Sequence, residues 1–309
     1  MPRTAWIALD WGGSRLRAWR MGPGDAALEE RRSDAGAGSL AAGGFEAALL
    51  DLVGDWLTPG ARTETLACGM VGAKQGWVEA PYRALPCAPA GPGAVAAPCA
   101  DPRLSLRILP GLSQARPRPD VMRGEETQIA GFLAAAPDFD GVVVLPGTHS
   151  KWVHVSAGEA ISFQTFLTGE LFALLSEASV LRHSMPAPDD GTEDGPAFLQ
   201  GVEDAMDRPQ DVTGLLFAIR AAGLLDGLPP AAARARLSGL LIGMELAGAK
   251  PWWLGREVAL VGAPALCARY AAALRAQGLA PTAHPGEDLA LAGLVAARRA
   301  MESGEGERA

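Results

Sequence analysis

Apolar positions along the chain follow two periods, one typical of amphipathic helices and one typical of short buried strands. The segment FEAALLDLVGDWL places Phe45, Leu49, Leu52 and Trp56 on one helical face. TLACGMVG follows it and predicts a short buried strand. Helix and strand patterns that alternate in this way predict an α/β protein.

The second half of the chain repeats this alternation. A helix is predicted in EETQIAGFLAAA, strands in GVVVLP and KWVHVSA, and a helix in ELFALLSEASVLR. Further on come a helix in PPAAARARLSGLLIGMELAGAK, a strand in EVALVG, a helix in PALCARYAAALRAQG and a short final helix in DLALAGLVAARRA. The stretch 84–119 is rich in Pro, Gly and Ala and predicts irregular connections around a few short strands.

With 309 residues, the chain is too long for one ordinary core, so two domains are predicted. We place an N-terminal lobe at 1–115 and a C-terminal lobe at 116–286, with the final helix, 287–303, free to pack back on the first lobe.

Charge and cysteine usage exclude several classes of protein. A net charge of −8 argues against a general nucleic-acid binder, which would carry a basic excess. The four cysteines are scattered without metal-ligand spacing, so neither a zinc site nor a disulfide framework is predicted. There is no secretory signal pattern and no long uncharged run, and the sequence therefore predicts a cytoplasmic protein that does not enter membranes.

The first strand ends in an acid and two glycines, in IALDWGGSRLRAW. A plain hairpin turn explains this pattern, and so does a turn that approaches a phosphate. LPGTHSKWVHV, from Leu145, repeats the strand, the polar turn around a glycine and the Trp-containing strand. Two such turns favour related domains that share a phosphorylated ligand. The P-loop, Rossmann, protein-kinase and G-x-S-x-G signatures are absent from the sequence.

Six blocks in fixed order, from Trp6 to about Ala300, carry a resemblance to a known family. They are LDWGGSRLRAW, GMVGAKQGWVEAPY, MRGEETQIAGF, LPGTHSKWV, TFLTGELFALL and LVGAPALCARYAAAL. Together they resemble the 2-dehydro-3-deoxygalactonokinase family of the actin-like sugar-kinase superfamily. The resemblance implies a two-lobed, ribonuclease H-like fold with a mixed five-stranded sheet and flanking helices in each lobe. It also implies MgATP in the cleft between the lobes and transfer of phosphate to the C6 hydroxyl of 2-dehydro-3-deoxy-D-galactonate.

The resemblance implies two phosphate loops and an adenosine motif. In the first loop, Asp10 would orient Mg²⁺ through water, and Gly12, Gly13 and Ser14 would present backbone donors to the phosphates. The family commonly has two threonines and an asparagine where this chain has Gly13, Ser14 and Arg15, which puts side-chain phosphate contacts in doubt. The remaining nucleotide-binding residues would be Gly147, Thr148, His149 and Ser150 in the second loop and Gly262 and Ala263 in the adenosine motif.

His149 and the start of the block TFLTGELFALL also have simpler interpretations. His149 is equally well explained as a hydrogen-bonded turn residue. Thr168, Gly169 and Glu170, in the block TFLTGELFALL, are interpreted as a helix cap in preference to catalytic residues.

The acid directly after Gly124 matches the base of related carbohydrate kinases, so Glu125 is the expected general base, with Glu126 as the fallback. Both acids would also simply favour a helix N-terminus. The block from Gly69 to Tyr82 suits a polyol site. Its substrate candidates are Lys74 and Arg17 for the carboxylate, Gln75 and Glu79 for hydroxyl groups, and Trp77 and Tyr82 as pocket walls. The simpler alternative for this block is surface charge around a buried tryptophan.

The expected partner is a small sugar acid, and the oligomeric state is left open, a homodimer included. The main alternative is a kinase of the same fold that acts on another keto-deoxy acid or on a neutral hexose. A non-catalytic sugar sensor ranks lower, since it would need a partner or a DNA-binding module and none is visible before Trp6.

Overall fold

The computed structural model describes residues 4–185 and 195–306. They divide into two compact units. The first consists of the described residues of Met1–Phe139, Val155–Ser162 and Gly286–Ala309, and the second of those of Asp140–His154 and Phe163–Pro285.

Strands and helices alternate along the described chain. The strands are β1 (Trp6–Trp11), β2 (Leu16–Met21), β3 (Ala27–Ser33), β4 (Thr63–Gly69), β5 (Tyr82–Ala84), β6 (Val95–Ala96), β7 (Leu104–Ile108), β8 (Gly111–Gln114), β9 (Asp120–Met122), β10 (Gly141–Leu145), β11 (Ser150–Ser156), β12 (Glu159–Phe166), β13 (Val258–Gly262) and β14 (Thr282–Pro285). The helices are α1 (Phe45–Val53), α2 (Glu125–Ala135), α3 (Thr168–Ala173), α4 (Gly195–Asp207), α5 (Val212–Leu225), α6 (Pro230–Gly248), α7 (Lys250–Trp253), α8 (Pro264–Ala276) and α9 (Gly286–Gly306).

The main sheet of the first unit has the order β3-β2-β1-β4-β7-β6. β1, β2 and β3 pair antiparallel, whereas β1, β4 and β7 pair parallel. Side chains of β1 alternate between the two faces. Ile7 and Leu9 pack in one cluster with Phe45 of α1, and Trp6 packs in another with Leu294 of α9.

The five-stranded sheet, most of whose residues belong to the second unit, has the order β12-β11-β10-β13-β14, with β10, β13 and β14 parallel. From one edge to the other, its strands follow the same pattern along the chain as β3-β2-β1-β4-β7 of the other sheet, as the two similar glycine turns suggested. This is the strand order of the ribonuclease H-like fold, and the predicted fold class is confirmed. The main sheet of the first unit has one strand more than the five expected, the two-residue edge strand β6. This unit also has a second, three-stranded sheet with the order β5-β8-β9.

The first compact unit extends beyond the boundary predicted at residue 115, because α2 packs on α9. Gly131 of α2 and Gly293 of α9 lie directly against the backbone of the opposite helix, where any side chain would collide. α9 is also longer than the short helix predicted near the C-terminus. The segment predicted as one helix in ELFALLSEASVLR instead forms α3, a π-helical turn at Leu174–Ala178 and a 3₁₀ turn at Val180–Ser184. None of the described helices combines the length and apolarity that a bilayer crossing requires.

Candidate active site

The glycine turn of the first unit joins β1 to β2. A second loop, which contains Gly36, Ala37 and Gly38, packs against it. Ala37 N donates to Gly12 O at 2.9 Å, and Gly38 N donates to Gly13 O at 2.8 Å. Gly36 contacts the backbone of Ser14 so closely that no side chain fits there. These contacts fix the turn in one conformation. Gly36 and Gly38 were not predicted from the sequence, although the glycine-rich stretch SDAGAGS is a signal for a close backbone approach.

A cavity of about 410 Å³ opens beside this turn in the first unit. It is lined by Asp10, Gly12, Ser14, Arg15, Arg17, Arg32, Ser33, Asp34 and Glu287. Three arginines and three acids therefore share one wall with the turn. Arginine is well suited to bind planar anions such as carboxylates and phosphates.

Arg17 lies between two carboxylates in this cavity. Its Nη2 is 2.5 Å from Asp10 Oδ2, and its Nη1 is 3.5 Å from Glu287 Oε2. The buried Nη1 makes no hydrogen bond within the described part of the chain. Arg17 was predicted as a substrate residue. The structure shows it as the partner of Asp10, with one donor left for a further acceptor.

Three segments of the first unit converge at the end of β1. Because β1 and β4 are parallel neighbours, Trp11 pairs with Gly69 at the same edge of the sheet. A Cβ at Gly69 would lie 2.7 Å from Trp11 O, and one at Gly124 would lie 3.4 Å from Gly69 Cα. Both glycines have positive φ, +93° and +106°. The turn after Asp10, the start of the Gly69–Tyr82 block and the start of α2 thus meet.

The two acids at the start of α2 have different surroundings. Glu126 is 2% exposed, and its carboxylate oxygens accept from Gly124 N at 2.9 and 2.7 Å. Burial, with the charge of Glu125 second, raises the pKa of Glu126 to about 8. Glu125 is half-buried, and its Oε2 accepts from Arg123 N at 3.0 Å. Glu126 is therefore an internal cap of α2, and Glu125 is the less buried acid of the pair.

The buried Glu126 predicts a pH dependence of stability. Its pKa is about 8 in the folded state, against an ordinary 4.5. Between these values the folded protein holds a proton that the unfolded chain has lost, so stability falls as pH rises, by up to about 1.4 kcal/mol per pH unit. We expect Glu126→Gln to remove this slope and to be more stable than the wild type at pH 9, by about 2–4 kcal/mol.

Urea denaturation at pH 5, 7 and 9 measures this effect. Glu79→Gln is the control, because Glu79 is exposed in the same unit. Parallel stability curves for Glu126→Gln and the wild type would show that Glu126 is ionised in the folded protein throughout this range.

The predicted substrate block divides into core and surface residues. Trp77 stacks on Phe45 with ring centroids 6.3 Å apart, and its Nε1 donates to Pro98 O, so it belongs to the core of the first unit. Lys74, Gln75 and Glu79 are exposed, and none of them lines the cavity beside the first turn. The simpler interpretation of the block, surface charge around a packed tryptophan, describes these residues well.

Tyr82 leads to a residue that the sequence analysis missed. It is 40% exposed, and the guanidinium of Arg123 lies 4.3 Å from its ring centroid. Arg123 is buried and donates from Nη2 to Ala80 O at 2.7 Å. It thereby ties the end of the substrate block to the start of α2, next to Glu125. The signal was the arginine directly before GEE in the block MRGEETQIAGF.

The second glycine turn lies between β10 and β11 in the second unit. Thr148 and His149 are exposed and Gly147 is partly exposed, whereas Ser150 is buried and its hydroxyl lies 2.9 Å from Tyr270 OH. The Ser150 hydroxyl therefore does not face solvent, whereas Gly147, Thr148 and His149 are at least partly exposed. His149 Nε2 lies 2.6 Å from Glu170 Oε2.

The block TFLTGELFALL supports this second turn. Glu170 N donates to Thr148 O at 2.9 Å, and Gly169 lies against the backbone of Gly147 with no room for a side chain. α3 begins at Thr168, and its N-cap residue Leu167 makes no side-chain capping bond. The predicted helix cap is thus not observed, because these residues bond to the turn and to the protein interior.

The predicted adenosine motif lies beside the same turn. β10 and β13 are parallel neighbours, so the residues that follow them share the carboxyl edge of the sheet, where α/β proteins bind ligands. Gly262 has φ +157°, and a Cβ there would lie 3.4 Å from Pro146 O. Ala263 is the N-cap of α8, and Pro264 occupies its first turn, as predicted.

The amino-acid sequence was compared with those of known proteins. The family model described as 2-keto-3-deoxy-galactonokinase matches residues 10–297. This chain belongs to that family. A relative in Rhizobium meliloti (strain 1021), named probable 2-dehydro-3-deoxygalactonokinase, is 41% identical over 298 residues, which are 96% of this chain and 97% of the relative.

Two further matches agree with membership of the 2-keto-3-deoxy-galactonokinase family. The 2-dehydro-3-deoxygalactonokinase of Escherichia coli (strain K12) is 36% identical, over 94% of this chain and 96% of the relative. A crystal structure of a Sinorhizobium meliloti protein, described as a 2-dehydro-3-deoxygalactonokinase, superposes with a TM-score of 0.88 at 41% identity. It covers 96% of this chain and 99% of that one.

The 2-keto-3-deoxy-galactonokinase family implies MgATP, and the first unit was tested for its fit to Mg²⁺. Kinases usually hold this ion by one or two carboxylates, with water and substrate phosphates as the other ligands. Asp10 is 21% exposed on the wall of the cavity and fits that arrangement. Among the described residues, no group of three or more His, Cys, Asp or Glu could enclose a metal ion, so a cage made of protein ligands alone does not fit.

Proposed function

We propose that this protein transfers the γ-phosphoryl group of ATP to the C6 hydroxyl of 2-dehydro-3-deoxy-D-galactonate, giving the 6-phosphate and ADP. The observation that carries the proposal is the match to the two named relatives over nearly the full length of each chain. The segments that converge at the end of β1 give it a chemical basis.

Glu125 is the proposed general base. Accepting the hydroxyl proton is the one acid–base step in a reaction otherwise dominated by positioning and charge stabilisation. Glu125 is the accessible acid of its pair and follows Gly124, which contacts the segment beside Asp10. Mg²⁺ bound through water at Asp10 would supply positive charge to the transferred phosphate. Backbone groups of Gly12, Gly13 and Ser14 would donate to its oxygens.

The second unit is proposed to bind the nucleotide. Gly147, Thr148 and His149 would contact phosphates, with Ser150 acting from beneath the turn, and Gly262 and Ala263 would let the adenosine approach the backbone. The contact between Gly262 and Pro146 supports this grouping, because it places the two predicted nucleotide segments side by side.

The sugar acid carries a permanent carboxylate, which needs a cation or several N–H donors. Arg17 is the stronger of the two predicted candidates, because it lines the cavity and its buried Nη1 has no hydrogen-bond partner among the described residues. Lys74 is the other, and its exposure leaves it free to move. Gln75, Glu79, Trp77 and Tyr82 remain proposed as the residues for the polyol chain.

An ADP-release assay with a panel of substrates tests the function. We expect 2-keto-3-deoxy acids to be phosphorylated with kcat/KM at least about a hundredfold above that of the matching neutral alditol, because a site that donates hydrogen bonds to a carboxylate discriminates against an analogue that lacks it. Lys74→Met serves as the comparison for Arg17→Met, since only Arg17 lines the cavity. Equal turnover of acid and alditol would favour the neutral-hexose kinase. Sugar binding without ADP release would favour the sensor.

A further inference from the structure

A buried polar cluster of the second unit joins the turn at Gly147–His149 to α6 and α8. Its centre is Glu245 of α6, which is 2% exposed. Trp152 Nε1 donates to Glu245 Oε1 at 2.7 Å, and Tyr270 OH donates to Oε2 at 2.8 Å. The Ser150 hydroxyl lies 2.9 Å from Tyr270 OH, and the Thr168 side chain also hydrogen-bonds Glu245.

These partners lie on both sides of the turn. Ser150 is the residue directly after it and begins β11. Thr168 begins α3, whose next two residues, Gly169 and Glu170, contact the backbone of the turn. One carboxylate on a long helix therefore anchors both the strand that leaves the turn and the helix that supports it.

Burying a carboxylate in this cluster has a desolvation cost in stability. We therefore take the geometry of the cluster to be the reason for the carboxylate. Burial disfavours the charged carboxylate and raises the pKa of Glu245, while the hydrogen bonds from Thr168, Trp152 and Tyr270 act in the opposite direction. An apolar side chain in this place would contribute as much or more to stability, since buried charges recover their desolvation cost only with excellent geometry.

We propose that Glu245 is a positioning residue that holds Gly147–His149 in the conformation that binds nucleotide phosphates. This inference rests on the proposed function, in which that turn is the second phosphate loop. Glu245 contacts no nucleotide itself. It acts through Tyr270 and Ser150 on one side of the turn and through Thr168 on the other.

The test combines loop dynamics with nucleotide binding. Tyr270→Phe removes one hydroxyl and leaves the ring, so Glu245 and Ser150 each lose their hydrogen bond to Tyr270 with little change in packing, while the direct contact between Ser150 and Glu245 remains on that side of the turn. We expect amide hydrogen exchange in the ligand-free protein to accelerate about tenfold at 147–151 and 168–171 and to stay unchanged in β13. We also expect Kd for magnesium with a non-hydrolysable ATP analogue, measured by calorimetry, to rise about tenfold.

Two further variants separate positioning from general stability. Glu245→Gln keeps the shape of the side chain but replaces one acceptor oxygen with an NH₂ donor, so at least one hydrogen bond of the cluster must reverse or break, and it should reproduce both effects. Leu237→Ala is the matched control, because Leu237 is fully buried on the same helix and packs in a different cluster with Val212 and Ile219. It should destabilise the protein without changing either exchange in the loop or nucleotide affinity.

Each outcome decides the inference. Faster exchange and weaker nucleotide binding in Tyr270→Phe and Glu245→Gln, but not in Leu237→Ala, would support it. Unchanged affinity in the first two variants, or equal changes in all three, would overturn it. Binding does not require turnover, so a wild type that binds the analogue but phosphorylates no acid would refute the proposed function while the positioning role is still decided. A wild type that binds no nucleotide would overturn both.

Discussion

Glu125→Gln is expected to lower the rate of phosphoryl transfer by about 10²–10⁴, the usual effect of removing a general base, while nucleotide and sugar acid still bind. The amide keeps the size of the side chain and can still accept from Arg123 N, as Glu125 Oε2 does at 3.0 Å. What it loses is the ability to take up the hydroxyl proton. Single-turnover rates separate the chemical step from binding, which calorimetry measures.

The neighbouring acid provides the control for this experiment. Glu126 is buried and caps α2 from inside, so Glu126→Gln should change stability at high pH and leave the chemical step near the wild-type rate. Adjacent helical residues point about 100° apart, so the two carboxylates do not face one hydroxyl. If Glu126→Gln is the inactive variant, the roles are reversed. If both variants stay active, the base lies outside α2.

Local patterns were enough to predict the framework of the site. The acid and glycines after the first strand, and their counterpart after Leu145, predicted two hairpins in similar units, and both sheets share one strand order. The start of α2 at Glu125 and of α8 at Pro264 followed from helix-boundary signals. Turns and helix boundaries depend on residues that are close together in the sequence, and a single sequence shows these directly.

The pairs that tune the site were not predictable, because they join distant parts of the chain. Trp152 and Glu245 are far apart in sequence, and so are Arg17 and Glu287. Nothing in the local pattern distinguishes the buried Glu245 from a surface acid on an amphipathic helix. The packing of Trp77 was not predictable for the same reason. An aromatic ring near polar residues suggested a pocket wall, whereas its stacking on Phe45 depends on the packing of α1.

The distinction between Glu125 and Glu126 was only partly predictable from the sequence. The sequence offered two adjacent acids as candidates for the base, and family resemblance ranked them. The helix start itself required a glycine, since Gly124 has φ +106°. Only the three-dimensional structure showed that Glu126 is buried and accepts from Gly124 N, whereas Glu125 accepts from Arg123 N and is only half-buried.

Asp10→Asn is expected to fold normally and to lose about a hundred- to a thousandfold in kcat/KM, because the amide keeps the shape but not the charge that orients Mg²⁺ at the transferred phosphate. When Mg²⁺ is titrated, the turnover of the variant should increase less with the concentration of the ion than the turnover of the wild type. Urea denaturation checks that the fold is intact.

The pairing of Asp10 with Arg17 complicates this result and also supplies its control. Removing the charge of Asp10 frees Arg17 Nη2, so part of the loss would come from a displaced guanidinium and not from Mg²⁺. Glu287→Gln removes the other carboxylate beside Arg17 and leaves Asp10 unchanged. We expect this second variant to keep the wild-type Mg²⁺ dependence with at most a modest rise in KM for the sugar acid. If Glu287→Gln loses as much activity as Asp10→Asn, the position of Arg17 is the common cause. Wild-type turnover in Asp10→Asn at low Mg²⁺ would show that Asp10 does not take part in binding the metal ion.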